Sequence, residues 1–485
     1  MNKPEKPNIL LIHADQHRFD CIGACGNQQV KTPNIDSLIT DGVLYKNSFC
    51  PYPVCTPSRY SLITGLYPHQ HMGWRNVSTI TETIDTFPRI LKKAGYKTAA
   101  TGKMHFTPTY LDVGFEEMYL AEQLGMGRYD DDYHRYLKEE GLIDKIDLWD
   151  QEALFKKTAP QEYRDTLGAM VSDLDEEHHS TTWIGQKALE IIDKWGKEGN
   201  MLMTGFIKPH RPFDPPEPWT RMYNPDDMEF LPGWTPEHLP QDIARHDGNF
   251  SYKHVSETQM KQVMAYYYAS ISQIDFQVGK MISLLKQKGL YHNTLIIYTS
   301  DHGEYLGFHH ILGKGNNLYD PLAKVPLIIK YPGLYRKGET DNSLCNNPDV
   351  TATIISAAGA QIGVSMRGKD LTDGIPDRNY IFTEESDGYM VRSRTRKLLL
   401  CESEQKSQFF NLENDPLEMN NLLESAAYKN EVDEYKQILL NWILFEARTP
   451  VYKNENAPII HGANVPPDTS GRKEMIEYFT EKISP

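Results

Sequence analysis

The chain has 485 residues, of which 39% are hydrophobic and 24% charged, with 66 acidic against 51 basic residues and a formal net charge of −15. That length supports a large core and two or more structural units, and the balanced composition argues against a disordered or fibrous protein. The acidic balance without any long Lys/Arg block argues against a broad nucleic-acid surface, so an anionic substrate needs a local basic pocket.

The chain starts "MNKPEKPNILLIHAD", with no signal-like hydrophobic segment ahead of a small-residue cleavage site, and no apolar run of membrane-spanning length follows. A leader already removed would place the protein in the periplasm; otherwise the expectation is cytoplasmic. Apolar runs that end in polar punctuation predict buried strands at 8–15, 96–102, 200–210, 294–303 and 325–333. Helical spacing lies between them at 86–95, 180–196 and 257–289. This alternation predicts an α/β fold, a mostly parallel central sheet with helices on both faces.

Residues 104–180 are irregular and rich in charged and aromatic residues, and are expected to form a variable insertion over the sheet edge. Within them His134 and "DEEHH" (175–179) read as a solvated segment and not a second metal site. From 376 onward the short alternating runs "NYIFTEES", "GYMVRSRTRKLLLCES" and "SQFFNLEN" predict a small antiparallel sheet followed by a helix. The expected division is a catalytic α/β domain over 1–375 and a C-terminal subdomain over 376–485.

Polar residues gather at the predicted strand ends, where open α/β sheets bind ligands. Asp15 and Gln16 follow the first run and Asp301 and His302 follow "LIIYTS". Two carboxylates, an amide oxygen and an imidazole suit Ca²⁺, Mg²⁺ or Mn²⁺; the competing reading is that each Asp caps a following helix. Lys103 and His105 follow "YKTAATG", and Lys208 and His210 follow "NMLMTGFI". Lysine can neutralise an oxyanion while histidine moves protons. Lys314 stands between glycines in "DHGEYLGFHHILGKG".

The six cysteines are thinly spread and read as free thiols. Cys55 is set in "CPYPVCTPSRYSLITGLYPH", where Pro57 and the spacing of Tyr60, Ile63 and Tyr67 predict a helix. Its start would make the Cys55 thiol more acidic, and Arg59 adds fixed positive charge, giving an anion site that contains a nucleophile.

"CTPSR" (55–59) and its continuation "YSLITGLYPH" resemble the signature of the sulfatases of the alkaline phosphatase superfamily. Segments similar to theirs recur in order: "NILLIHADQHRFD", "AGYKTAATGKMH", "KPHRPFDPP", "TSDHGEYLGFHHILGKG" and "FFNLENDPLEMNNL". The resemblance implies that Cys55 is oxidised to formylglycine (3-oxoalanine) by a formylglycine-generating or anaerobic sulfatase-maturating enzyme. One hydroxyl of its hydrate attacks sulfur, and the other then expels sulfate. It further implies that Asp15, Gln16, Asp301 and His302 hold Ca²⁺, with Mg²⁺ as the alternative. Arg59, Lys103 and Lys314 would stabilise negative charge, His105 would take the second hydroxyl's proton, and His210 would protonate the leaving alcohol.

Many sulfatases carry Asp and Asn at the positions of Gln16 and His302. This pair, with "KPHRPF", looks most like bacterial glycosaminoglycan sulfatases that remove 2-O-sulfate from uronic acids, which implies an exo-acting enzyme on heparin or chondroitin oligosaccharides. Arg75, Lys208 and Arg211 are the candidates to bind the uronate carboxylate. The alternatives are an N-acetylglucosamine-6-O-sulfatase or other carbohydrate sulfatase, a phosphonate or phosphate monoester hydrolase, and a non-catalytic sugar-binding homologue.

Overall fold

In the computed structural model the described residues are 6–122, 131–142, 161–242, 255–315, 318–375 and 377–448. The apolar run at the start forms β1 (Asn8–Asp15), buried along its whole length. Its neighbours are β5 (Asn200–Pro209) and β6 (Thr294–Ser300), both parallel to it and both buried throughout. A strand covered on both faces needs apolar side chains at successive positions, which is why these three read as continuous runs.

β3 (Lys97–Gly102) and β4 (Glu117–Leu120) extend the sheet in parallel on one side. On the other side lie β7 (Leu327–Lys330), β2 (Val43–Phe49) and β8 (Glu339–Asn346), giving the order β4-β3-β5-β1-β6-β7-β2-β8. β7 is antiparallel to both β6 and β2, so the sheet is mostly parallel with one reversed strand. β2, β4 and β8 carry no continuous apolar run, since part of each is solvated. β4 falls in the expected insertion, which thus supplies the outermost strand; residues 123–130 and 143–160 of that stretch lie outside the described residues.

Alternate residues of β1 feed two cores. Ile9 and Leu11 pack with Tyr60, Leu62 and Ile63 of the helix Cys55–Thr64, with Phe87 and Leu91 of the helix Phe87–Lys93 and with Val350 and Ile354 of the helix Asn347–Ala357. Leu10 and Ile12 pack on the opposite face with Ile184 and Ile191 of the helix Ser180–Asp193 and Ile274 and Val278 of the helix Glu257–Gln287. The result is a three-layer α/β architecture.

A separate antiparallel sheet follows, ordered β12-β11-β10-β9, from β9 (Ile381–Glu385), β10 (Gly388–Arg392), β11 (Arg396–Cys401) and β12 (Gln408–Asn411). Val432, Tyr435 and Leu439 of the helix Lys429–Asn441 cover Phe382, Val391, Leu398 and Phe409, and Tyr67 joins the same cluster from the end of the signature segment.

The solvated reading of His134 and "DEEHH" is corrected. His134 is buried with Nδ1 2.7 Å from Asp131, and His179 is buried as the N-cap of the helix Ser180–Asp193, its ring accepting from Thr181 N–H. Asp175 and Glu177 are exposed. All six cysteines are free thiols. Among the described residues no helix is long and apolar enough to cross a membrane.

Candidate active site

Four neighbouring strands, β3, β5, β1 and β6, end at one edge of the sheet and bring Lys103, His210, Asp15 and Asp301 together. The helix Cys55–Thr64 packs over them with all ten residues buried, and Cys55 is its first residue. Gly65 closes the helix at φ 66°, a left-handed conformation, and a Cβ there would crowd Met366 and Thr351 at 3.1–3.3 Å.

Arg59, one turn along, is buried and forks between two carboxylates. Its Nε lies 3.0 Å from Asp301 Oδ2 and its Nη2 3.0 Å from Asp15 Oδ2, while Nη1 donates to the Lys103 carbonyl. Lys103 Nζ reaches the same Asp15 Oδ2 at 2.7 Å. Lys314 Nζ stands 2.8 Å from Cys55 Sγ, 3.2 Å from His302 Nε2 and 3.3 Å from His210 Nε2. Arg59 and Lys103 therefore face the two carboxylates, and Lys314 faces the Cys55 sulfur, where its charge favours an anionic group.

The ionisation states follow from these contacts. Burial and Asp15 push the Cys55 thiol up, but Lys314, Lys103 and His302 outweigh them and hold it well below the usual thiol range. Burial and Asp301 oppose ionisation of Asp15, yet Lys103 and Arg59 hold its carboxyl below the ordinary value. Burial drives His210 well below the usual imidazole range, with Lys314 and Lys103 adding to it, and burial with Lys103 brings His105 to about 4. Both rings are neutral near pH 7. His210 Nδ1 donates to the Arg211 carbonyl at 2.7 Å, which leaves Nε2 to accept from Lys314.

Asp15, Asp301 and His302 each offer a ligand atom, all within 4.8 Å of one another and of the Cys55 sulfur. His302 Nδ1 donates to the Gly303 carbonyl at 2.9 Å, so in the neutral ring Nε2 keeps its lone pair for a metal. Gln16 has φ 63° and donates its backbone N–H to Asp301 Oδ1 at 3.0 Å; its side-chain Oε1 is buried with no hydrogen-bond donor. An orphaned amide oxygen on the residue that follows Asp15, together with the Asp15 and Asp301 carboxylates and the His302 imidazole, is a donor set that fits a hard divalent cation.

The other sequence-derived residues fall in different settings. His105 is buried at φ 57°, with its ring close enough to interact with Cys55. Lys208 is fully buried and committed to Asp214 and to the Pro212 carbonyl at 3.0 Å, an internal ion pair and not a solvent-facing ligand. Arg211 is nearly buried beside His210, and Arg75 is exposed, close enough to Tyr52 to act on its phenol.

Two buried carboxylates escaped the sequence reading. Glu122 accepts the backbone N–H groups of Met104 and His105 at 2.9 Å each, fixing the loop after β3, and burial raises its carboxyl to about 7. Glu304 accepts from the Gln16 side-chain amide and from Leu306 N–H at 3.0 Å. No side-chain pattern marks either one, since backbone N–H groups supply most of their contacts.

The family described as "Sulfatase" matches residues 7–360, and that described as "N-sulphoglucosamine sulphohydrolase, C-terminal" matches 307–443. The chain is 30% identical to an arylsulfatase of Clostridium perfringens over 488 aligned residues, covering 93% of this chain and 97% of the relative. It is 28% identical to an iduronate 2-sulfatase of Mus musculus, over 67% of this chain and 59% of the relative. A phosphonate monoester hydrolase of Agrobacterium radiobacter has the same fold, with TM-score 0.74 at 24% identity, covering 90% of this chain and 95% of that one. Members of the matched family act through a formylglycine and a divalent metal, and a nucleophile and a hard-ligand set meet here at one sheet edge. The chain accordingly belongs to the sulfatase family of the alkaline phosphatase superfamily and is a sulfuric ester hydrolase.

Proposed function

We propose that this protein is a formylglycine-dependent carbohydrate sulfatase that binds Ca²⁺ and removes 2-O-sulfate from terminal uronic acids of glycosaminoglycan oligosaccharides. The observation that carries the reading is the contact set of Cys55, whose sulfur is 2.8 Å from Lys314 Nζ and 3.4 Å from His302 Nε2 at the start of a buried helix. The sulfur marks where the oxygen of an oxidised Cys55 would stand.

Asp15, Gln16, Asp301 and His302 would hold the cation, which supplies Lewis-acid polarisation of a sulfate oxygen when bound. Arg59 orients the two carboxylates through its fork, and Lys103 fixes the second contact on Asp15. Lys314 places positive charge beside the nucleophile, where charge develops during attack. His210 Nε2 already accepts a hydrogen from Lys314, so a proton delivered to the leaving alcohol at that atom passes from the Lys314 ammonium. The neutral His105 ring interacts with Cys55 and is suited to take a proton from the hydrated nucleophile.

The uronate assignment is supported by the Gln16 and His302 pair and by the likeness to an iduronate 2-sulfatase. Lys208 is paired to Asp214; Arg75, which is exposed, and Arg211, beside His210, are the cations proposed to meet a carboxylate. The acidic surface of a chain with net charge −15 favours short oligosaccharides over long polyanions.

Two measurements test this. Peptide mass spectrometry across residues 51–66, after co-expression with a maturation enzyme, is expected to show Cys55 as formylglycine; an intact thiol in fully matured protein overturns the mechanism. A panel of unsaturated 2-O-sulfated uronides, 6-O-sulfated glucosamines and matched aryl sulfate, phosphate and phosphonate esters is expected to favour the first group. Preference for the glucosamines overturns the sugar assignment, and preference for phosphonates overturns the substrate class.

A further inference from the structure

Glu304 is fully buried on the segment that leaves β6, and its carboxylate joins two parts of the site. One oxygen, Oε2, accepts from the side-chain amide of Gln16. The other, Oε1, accepts from Leu306 N–H at 3.0 Å and from Gly313 N–H, the residue that precedes Lys314. Its own backbone is pinned from the far side: Gly303 N–H donates to the Leu322 carbonyl at 2.8 Å and Glu304 N–H to the Pro321 carbonyl at 3.1 Å. The approach is so close that a Cβ on Gly303 would lie 2.0 Å from the Pro321 oxygen.

We propose that Glu304 is a positioning residue that sets the rotamer of the Gln16 amide and the place of Lys314 with a single carboxylate. The proposal rests on the reading of Gln16 as a metal ligand. Glu304 Oε1 is taken by two backbone N–H groups and Oε2 receives the Gln16 NH₂, an orientation that turns the amide oxygen of Gln16 away from Glu304. That leaves Gln16 Oε1 as a buried atom with no donor, on a residue whose backbone N–H is held by Asp301. The Gln16 backbone cannot compensate for a lost side-chain anchor by moving. Its N–H is held by Asp301 and its carbonyl by the Tyr267 hydroxyl at 2.6 Å. At the other end, Glu304 closes the loop 304–313 on itself, together with the Tyr305 N–H to Gly313 carbonyl bond at 3.1 Å. Lys314 leaves that closed loop directly and reaches Cys55.

The test is the Ca²⁺ dissociation constant, measured by titration calorimetry on the mature protein, for wild type, Glu304→Gln, Gln16→Ala and the double variant. A carboxamide at 304 cannot accept at both ends, so the Gln16 amide is released or flipped and its oxygen is withdrawn from the cation. Glu304→Gln is expected to weaken Ca²⁺ binding roughly 10–100-fold, the usual effect of a lost outer partner of a ligand. The double variant is expected to bind no more weakly than Gln16→Ala, since Glu304 acts on the cation through that residue. Wild-type affinity in Glu304→Gln, with Gln16→Ala weakened, overturns the proposal alone. Unchanged affinity in Gln16→Ala instead overturns the ligand assignment beneath it. A double variant that loses the product of both factors overturns the positioning proposal, because Glu304 would then act by another route. Melting of each metal-free variant verifies the fold. If Glu304→Gln does not fold, Glu304→Asp, with the charge kept and one methylene removed, is expected to weaken Ca²⁺ in the same direction; full affinity there overturns the proposal.

Discussion

Replacing Arg59 by lysine keeps the charge and removes the fork, which isolates what the geometry contributes. The guanidinium makes two contacts of 3.0 Å to the buried carboxylates of Asp15 and Asp301. Each is a charge-assisted hydrogen bond worth about 1.5–3 kcal/mol. A lysine at 59 can meet one carboxylate at most, and the oxygen it abandons is left buried at a further cost of about 1–3 kcal/mol. The combined loss is about 3–5 kcal/mol, in the range for breaking a buried ion pair. If about 3 kcal/mol of it falls on the transition state, through carboxylates that no longer aim at the cation, turnover drops roughly 150-fold. Arg59 also belongs to the "CTPSR" segment through which Cys55 would be recognised for oxidation, so turnover has to be divided by the formylglycine content found by mass spectrometry. The expected result is a lowered melting temperature without metal, partial recovery in saturating Ca²⁺ because the cation replaces a lost positive contact, and at least a tenfold fall in turnover per formylglycine. Wild-type melting with turnover per formylglycine within about threefold would refute the orienting role; the tenfold mark corresponds to about 1.4 kcal/mol.

The remaining predictions concern single groups. Cys55→Ala is expected to abolish turnover while a sulfated disaccharide still binds by calorimetry; residual turnover above background contradicts the nucleophile assignment. Lys208→Met is expected to lower stability by about 3–5 kcal/mol, because it removes the ammonium bound to buried Asp214, and to leave KM of the folded fraction unchanged. A raised KM at unchanged melting temperature would return Lys208 to the substrate. Chelation is expected to reduce both activity and melting temperature, with Ca²⁺ restoring both; full activity after exhaustive chelation counts against the metal. With His105 held near 4 by burial and Lys103, its neutral, proton-accepting form is lost only as pH falls through about 4. The acid limb of kcat/KM is therefore expected well below the 6.5 of free imidazole, and a limb between 6 and 7 would assign the base elsewhere.

What the sequence disclosed about the fold tracks burial. β1, β5 and β6 are covered on both faces, so their apolar runs mark them without ambiguity. β8 begins "ETDN" with three of those four residues exposed, and β4 has three half-buried positions of four, so neither has a pattern to distinguish it from a loop. The reversed direction of β7 was equally hidden. "VPLIIK" buries its side chains in either orientation, and direction is set by the pairing with β6 and β2 rather than by side-chain type.

The site divides along a similar line. Cys55, Arg59, Lys103, Asp15 and Asp301 stand at strand ends or at a helix start, Lys314 stands on a glycine-flanked loop, and their type and position in the sequence already suggested that they could meet. Lys208 matched the same description and went elsewhere, because Asp214, six residues on, offers a carboxylate that folds back over the same turn. A Lys-x-His pattern records which groups are present and not which partner each one meets. Glu122 and Glu304 are hidden for the opposite reason. Their main partners are backbone N–H groups, which every residue but proline carries and which no pattern of side chains can announce. Yet these two carboxylates hold the loop of Lys103 and His105 and the loop of Lys314, so the placement of those three residues depends on carboxylates held mainly by main-chain groups. Substitutions at Glu122 and Glu304 should therefore change metal binding and pH response before they change the global fold, and that order of loss separates a supporting carboxylate from one that merely fills space.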